Sequence, residues 1–199
     1  MKELDKVENL LVVVDVINGF VNEGNMKDEY IRHIIPGIKV LVRQFVDDPK
    51  SEVFYIRDSH SLDSMEFTKF PIHCLENTSE SEVVDELKEY EDSVRTYLKN
   101  STSAMFAKGL ISDVDKMEKL KRVIVVGGCS DICVINSVLP LITYFDENNK
   151  KIDVIVREDL IETYDSIHHN RDEYNDIAVK LLKQSGVKIE NGKVNKNGR

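Results

Sequence analysis

Two cysteines, Cys129 and Cys133, stand four residues apart in VIVVGGCSDICVINS, residues 123–137. The spacing is C-x-x-x-C, not the C-x-x-C of thioredoxin-like redox pairs, and no second cysteine cluster exists to complete a four-sulfur zinc site. Each thiol is then either a nucleophile or small buried filler. Cys133 falls where an apolar run gives way to a helical pattern. Free backbone N–H groups and the helix dipole at such a point lower a thiol pKa and can hold an oxyanion. Cys129 sits in the loop before it, without that advantage. A second cluster lies in RDSHSLDSMEFTKFPIHC, which holds Asp58, His60, Glu66 and His73. Asp58 and His60 are two apart and point the same way in extended backbone. Two imidazoles and one or two carboxylates suit zinc, iron or manganese with positions left open. The plainer reading is a polar loop with surface histidines. Asp15 closes the apolar run of VVVDVINGF, and Lys99 follows another in YLKNSTSAMF. Asp15 alone reads as a turn residue and Lys99 as a solvated one. Buried beside a carboxylate and a thiol, that lysine would instead hold a thiolate charge.

These residues share a placement. Short β-branched runs read as strands at residues 10–15, 53–57, 93–98, 123–127 and 152–156, with a sixth at 187–189. Several are continuous rather than alternating, which suits strands covered on both faces. Helical patterns lie between them. Pro36 suits a helix start, with Ile38, Leu41, Val42 and Phe45 on one face. Val83, Val84 and Leu87 mark a short helix; Val114 and Met117 mark another, with Ser112 as its cap. Residues 131–145 read as a buried helix that Pro140 should kink or interrupt. A last helix presents Tyr174, Ile177, Ala178, Leu181 and Leu182 and stops near Gly186. The alternation predicts a three-layer, Rossmann-like α/β fold with a mainly parallel sheet of five to six strands. Ligands bind such sheets at the carboxyl ends of the strands. Asp15, Asp58 with His60, Lys99 and Cys133 each follow a different predicted strand.

The chain is 199 residues long, enough for one domain with a full core, and its formal net charge of −9 disfavours nucleic acid and anionic membrane surfaces. Its longest apolar runs fall far short of a membrane span of roughly 20 residues. The N-terminus lacks a signal-peptide h-region, and an odd number of cysteines, 3, fits a reducing compartment, so the expectation is cytoplasmic. The polar tail from about residue 190 is expected to fray.

With these residues in place, the chain resembles the isochorismatase-like cysteine hydrolases, and among them the nicotinamidases. LLVVVDVINGF is similar to the family's opening strand with its catalytic aspartate and a phenylalanine five later, here Asp15 and Phe20. KNSTSAMF resembles the lysine and Ser-Ala-Phe element, matching Lys99, Ser103, Ala104 and, past an inserted Met105, Phe106. GGCSDICV resembles the nucleophile loop, with Cys133 as nucleophile. RDSH and FPIHCLENT match the nicotinamidase metal segment at Asp58, His60 and His73, with Glu66 as a further ligand.

The resemblance covers about residues 8–190 and implies one hydrolase domain over residues 1–199. It implies a cis peptide at Gly128–Cys129, Cys129 and Cys133 N–H groups as oxyanion donors, and Phe20 and Phe106 as a ring-stacking wall. It also implies one divalent metal ion, zinc first, then iron or manganese. The reaction would convert nicotinamide and water to nicotinate and ammonia in NAD salvage, through a thioester on Cys133. A homo-oligomer is compatible with it. Departures are Ile17, where the family often has Gln, the inserted Met105 and Pro140; Ile17 and Met105 would line or border the pocket and bear on the substrate. Other readings remain: another small amide, such as an N-carbamoyl compound or a pyrazinamide-like ring; a metal-dependent oxidoreductase using Asp58, His60 and His73; and a binding protein with no catalysis. A dinucleotide dehydrogenase is disfavoured, since no G-x-G-x-x-G follows the first strand.

Overall fold

The computed structural model describes residues 2–192. Six strands form one sheet, all parallel: β1 Asn9–Val14, β2 Ser51–Asp58, β3 Arg95–Lys99, β4 Arg122–Gly128, β5 Asp153–Glu162 and β6 Lys188–Glu190. Their order is β3-β2-β1-β4-β5-β6. This is the doubly wound order, whose strand direction of travel reverses between β1 and β4. β6 ends at Glu190, and from residue 193 the tail expected to fray lies outside the described residues.

β1 shows why the sheet is central. Leu10, Val12 and Val14 enter one core, whereas Leu11 and Val13 enter the other. Successive strand side chains alternate faces, so a continuous apolar run needs cover on both. On one side the cover includes α1 Asn18–Val21, α2 Glu29–Arg32, α3 Ile35–Asp47 and α4 Asp85–Lys88. On the other it includes α5 Leu110–Asp115, α6 Ile135–Glu147 and α7 Arg171–Gln184. In α3, Pro36 stands in the first turn and Ile38, Leu41, Val42 and Phe45 are buried, as the pattern predicts.

Four local expectations differ. Gly109, with φ 88°, occupies the N-cap of α5, so Ser112 lies inside the helix and does not cap it. Pro140 neither ends nor interrupts α6. A proline in a helix interior costs ~3 kcal/mol. Ile135, Val138, Leu141 and Phe145, all buried on one stripe, hold the helix through that loss. α7 buries Ala178, Val179 and Leu182, leaving Ile177 and Leu181 exposed, so its apolar face is rotated from the expected stripe. β5 is longer than predicted and carries a register shift against β4 between Val125 and Gly127. No helix among the described residues is long and apolar enough to cross a membrane.

Candidate active site

Strand ends supply the site. Asp15 follows β1 with a left-handed φ of 52° and is fully buried. Its Oδ1 accepts a hydrogen bond from the Asp58 backbone N–H at 3.0 Å, which ties the ends of β1 and β2 together. Lys99 is the last residue of β3 and is also buried. Its Nζ lies 2.8 Å from Asp15 Oδ2, 2.5 Å from Asp58 Oδ1 and 3.6 Å from Cys133 Sγ. One ammonium thus touches two carboxylates and a thiol contributed by three different segments.

Cys133 lies beyond β4, in a π-helical turn, Ser130–Val134, that leads directly into α6. The expected regular helix start is therefore a wider turn, a form that recurs at functional sites. The N–H groups of Ile132 and Val134 both donate to the Cys129 carbonyl, at 3.2 and 3.0 Å. The Gly128–Cys129 peptide is cis. Just before it, Gly127 has φ 114°, and a Cβ there would lie 2.0 Å from the Val14 carbonyl oxygen. Only glycine lets β4 pass β1 at this point. The turn is also held from the far side. Asp131 accepts hydrogen bonds from the Thr163 hydroxyl at 2.6 Å and lies 2.9 Å from His169 Nε2. The His169 ring is stacked between Tyr164 and Tyr174, with centroids 3.9 and 3.7 Å away.

The electrostatics follow from burial. Burial and the neighbouring Asp58 charge push the Asp15 carboxyl up to about 7, against the pull of Lys99. Burial also pushes the Cys133 thiol well up, and Lys99 offsets only part of this. The helix-start effect expected to lower that pKa is outweighed, so the resting sulfur keeps its proton. Burial alone would discharge Lys99, but Asp15 and Asp58 more than offset it and hold the ammonium charged. A protonated thiol beside an elevated carboxylate is an arrangement for proton transfer from one to the other.

The second cluster adjoins the first through Asp58. One ligand atom each from Asp58, His60 and His73 lie within 4.8 Å of one another, and all three residues are buried. His73 Nδ1 donates to the Pro71 carbonyl at 2.7 Å, which leaves Nε2 facing Asp58 Oδ2 at 3.9 Å. His60 Nε2 lies 3.5 Å from Asp58 Oδ1 and is buried with no hydrogen-bond partner. An orphaned imidazole nitrogen beside a carboxylate and a second imidazole fits a divalent cation. Glu66 is buried, with Oε2 3.9 Å from His60 Nε2, near enough to add a carboxylate.

Between the two clusters is a pocket lined by Phe20, Met26, Phe70, Thr102, Ile132, Cys129 and Cys133, together with Asp58, Glu66 and His73. Phe20 is where the sequence places it, its ring 5.7 Å from that of His73. Phe106 is not. It is 81% exposed on an outer groove with Leu139, Pro140 and Tyr144. Ser103 caps the short 3₁₀ turn Ala104–Phe106, and Met105 packs against the core while Phe106 turns outward. Neither Met105 nor Ile17 borders the pocket; Ile17 is wholly buried and bridges to Val83. Met26, Phe70, Thr102 and Ile132 escaped the sequence reading. Only Phe70 carried a signal, as the aromatic residue of FPIH.

A doubly wound parallel sheet with a buried Asp–Lys–Cys cluster at its switch point, and a carboxylate–imidazole set beside it, defines the class. The chain belongs to the isochorismatase-domain family, whose model matches residues 9–191. Among curated proteins it is 38% identical over 143 residues to Nicotinamidase 1 of Arabidopsis thaliana. The match covers 64% of this chain and 57% of that protein, so the chain spans little more than half the relative's length. Solved structures with the same fold include N-carbamoylsarcosine amidase from Thermoplasma acidophilum, with TM-score 0.76, 20% identity and 96% and 99% of the two chains covered. The pyrazinamidase of Pyrococcus horikoshii, solved in complex with zinc, gives TM-score 0.74 at 22% identity, covering 92% and 99%. Nicotinamidase from Bacillus subtilis gives 0.75 at 22% identity, covering 92% and 99%.

Proposed function

We propose that the protein is a metal-dependent cysteine amidohydrolase that converts nicotinamide and water to nicotinate and ammonia, a step of NAD salvage in the cytoplasm. The observation that carries this reading is the single buried Lys99 ammonium, in contact with Asp15, Asp58 and Cys133. The similarity to Nicotinamidase 1 of Arabidopsis thaliana supports the substrate. So does the pocket, whose aromatic wall of Phe20 and Phe70 suits a flat ring.

Asp15 accepts the Cys133 proton as the sulfur attacks the carboxamide carbon. Lys99, in contact with both groups, stabilises the negative charge as this transfer moves it from Asp15 to the sulfur. Backbone N–H groups of Cys129 and Cys133 hold the oxyanion of the tetrahedral intermediate. As that intermediate collapses, the C–N bond breaks and Asp15 gives its proton to the departing ammonia. Asp15 then removes a proton from water, whose oxygen attacks the thioester carbon. Nicotinate leaves and the proton returns to the Cys133 sulfur. The carboxylate is therefore base, acid, base and acid in turn, which an elevated pKa favours. Asp58, His60 and His73, with Glu66, would hold a divalent ion. When bound, zinc supplies a Lewis-acid anchor for a ring nitrogen, and the pyrazinamidase of Pyrococcus horikoshii solved with zinc supports that choice of metal. Phe20 packs against the ring and orients its carboxamide toward Cys133.

Ammonia release from nicotinamide by the purified protein, before and after chelation and zinc repletion, tests the assignment. Turnover that falls on chelation and returns with zinc is expected. Turnover on another small amide and none on nicotinamide would overturn the substrate. Turnover indifferent to chelation would overturn the metal's part.

A further inference from the structure

Lys99 has a neighbour that the chemistry above leaves without a task. Asn100 is an exposed residue, yet its Oδ1 lies 2.9 Å from His60 Nδ1. An amide oxygen only accepts, so the His60 ring carries its proton on Nδ1 and presents the Nε2 lone pair inward. That Nε2 is the buried, partnerless nitrogen 3.5 Å from Asp58 Oδ1. Ser64 Oγ approaches the same Nδ1, but at 3.4 Å, and it also serves as cap to the Glu66 N–H. Asn100 is thus the shorter and dedicated contact.

We infer that Asn100 is a positioning residue for the metal site, its side-chain oxygen fixing the tautomer and orientation in which His60 can ligate a divalent cation. This rests on the reading of Asp58, His60 and His73 as metal ligands. It has a topological corollary. Lys99 and Asn100 are consecutive at the end of β3, one reaching Asp15 and Cys133, the other reaching His60. One strand end sets the spacing between the nucleophile and the metal.

Hydrogen-bond partners of ligating histidines are worth ~10–100-fold in metal affinity. The test is the zinc dissociation constant of the full chain, measured by competition with a chromophoric chelator, without reference to turnover. Asn100→Leu removes the acceptor at an exposed position where folding is little disturbed; Asn100→Asp keeps one. The expected result is zinc binding weakened ~10–100-fold in Asn100→Leu and at or above wild type in Asn100→Asp. Equal affinity in Asn100→Leu and wild type would overturn the role of Asn100 while leaving the metal site standing. Equal loss in both variants would also overturn it, since the acceptor would then not be the cause. Failure of the wild-type protein to bind zinc would remove the metal site and this inference together.

Discussion

Lys99 is the residue on which the site depends most. A buried ammonium between two carboxylates is stable only because both partners are present. Lys99→Met should cost ~3–5 kcal/mol of stability, read as a lower urea midpoint, because it strands Asp15 and Asp58 in the core. Asp15→Asn tests the proton-transfer role at nearly constant shape. It should lower kcat by ~10²–10⁴ while the fold persists. The two phenylalanines separate on the same scale. Phe20→Ala should raise KM, and Phe106→Ala, on the outer surface, should leave both kinetic constants near wild type. Asp15, Lys99 and Cys133 each read as an ordinary residue alone; their joint placement after strands, with Asp58 and His60, and the resemblance of the segments around them singled them out. Phe106 was misread because spacing within SAMF says nothing of which way a 3₁₀ turn rotates. Asn100 was illegible because an asparagine after a strand looks like any other turn residue.

At the scale of elements, the strands were readable from their unbroken β-branched runs, a consequence of burial on both faces. The π turn at Ser130–Val134 was not, since its widening comes from tertiary demands on Cys129 and Asp131 rather than from local propensity. Gly127 governs how β4 meets β1. Gly127→Ala should destabilise by at least ~2 kcal/mol in urea unfolding, because it combines a disfavoured φ with a clash against Val14. At the opposite end of the sheet, Glu8 pairs with Lys121 at 2.6 Å and Lys50 at 2.9 Å, linking the entries to β1, β4 and β2. Lys121, then Lys50, lowers its pKa to about 2. A depressed carboxylate stabilises the fold above its unfolded value, ~4.3, and loses that contribution as pH falls toward 2. Relative to wild type, Glu8→Gln should therefore melt lower at pH 6, and the gap should close by pH 2 and shrink in high salt.

The whole molecule is a sheet whose two halves meet at the β1–β4 switch point, and both chemical clusters occupy that crevice. Strand–helix alternation foretold a mainly parallel sheet with ligands at the carboxyl ends of its strands, whereas the doubly wound order is seen only in the structure. The wall of the pocket, with Met26 and Thr102 contributed by separate loops, emerges only when the chain closes. A bound cation would join β2 to the loop bearing His73 and so stabilise the folded state. Zinc at 100 times its dissociation constant should add ~2.7 kcal/mol, visible as a higher melting temperature that chelation reverses. The central claim is that one thiol, Cys133, attacks the amide while Cys129 serves through its backbone. Ammonia release from nicotinamide by Cys133→Ala and Cys129→Ala, beside wild type, tests it most directly. The account predicts none from Cys133→Ala and near-normal release from Cys129→Ala; release that survives in Cys133→Ala and vanishes in Cys129→Ala would contradict it.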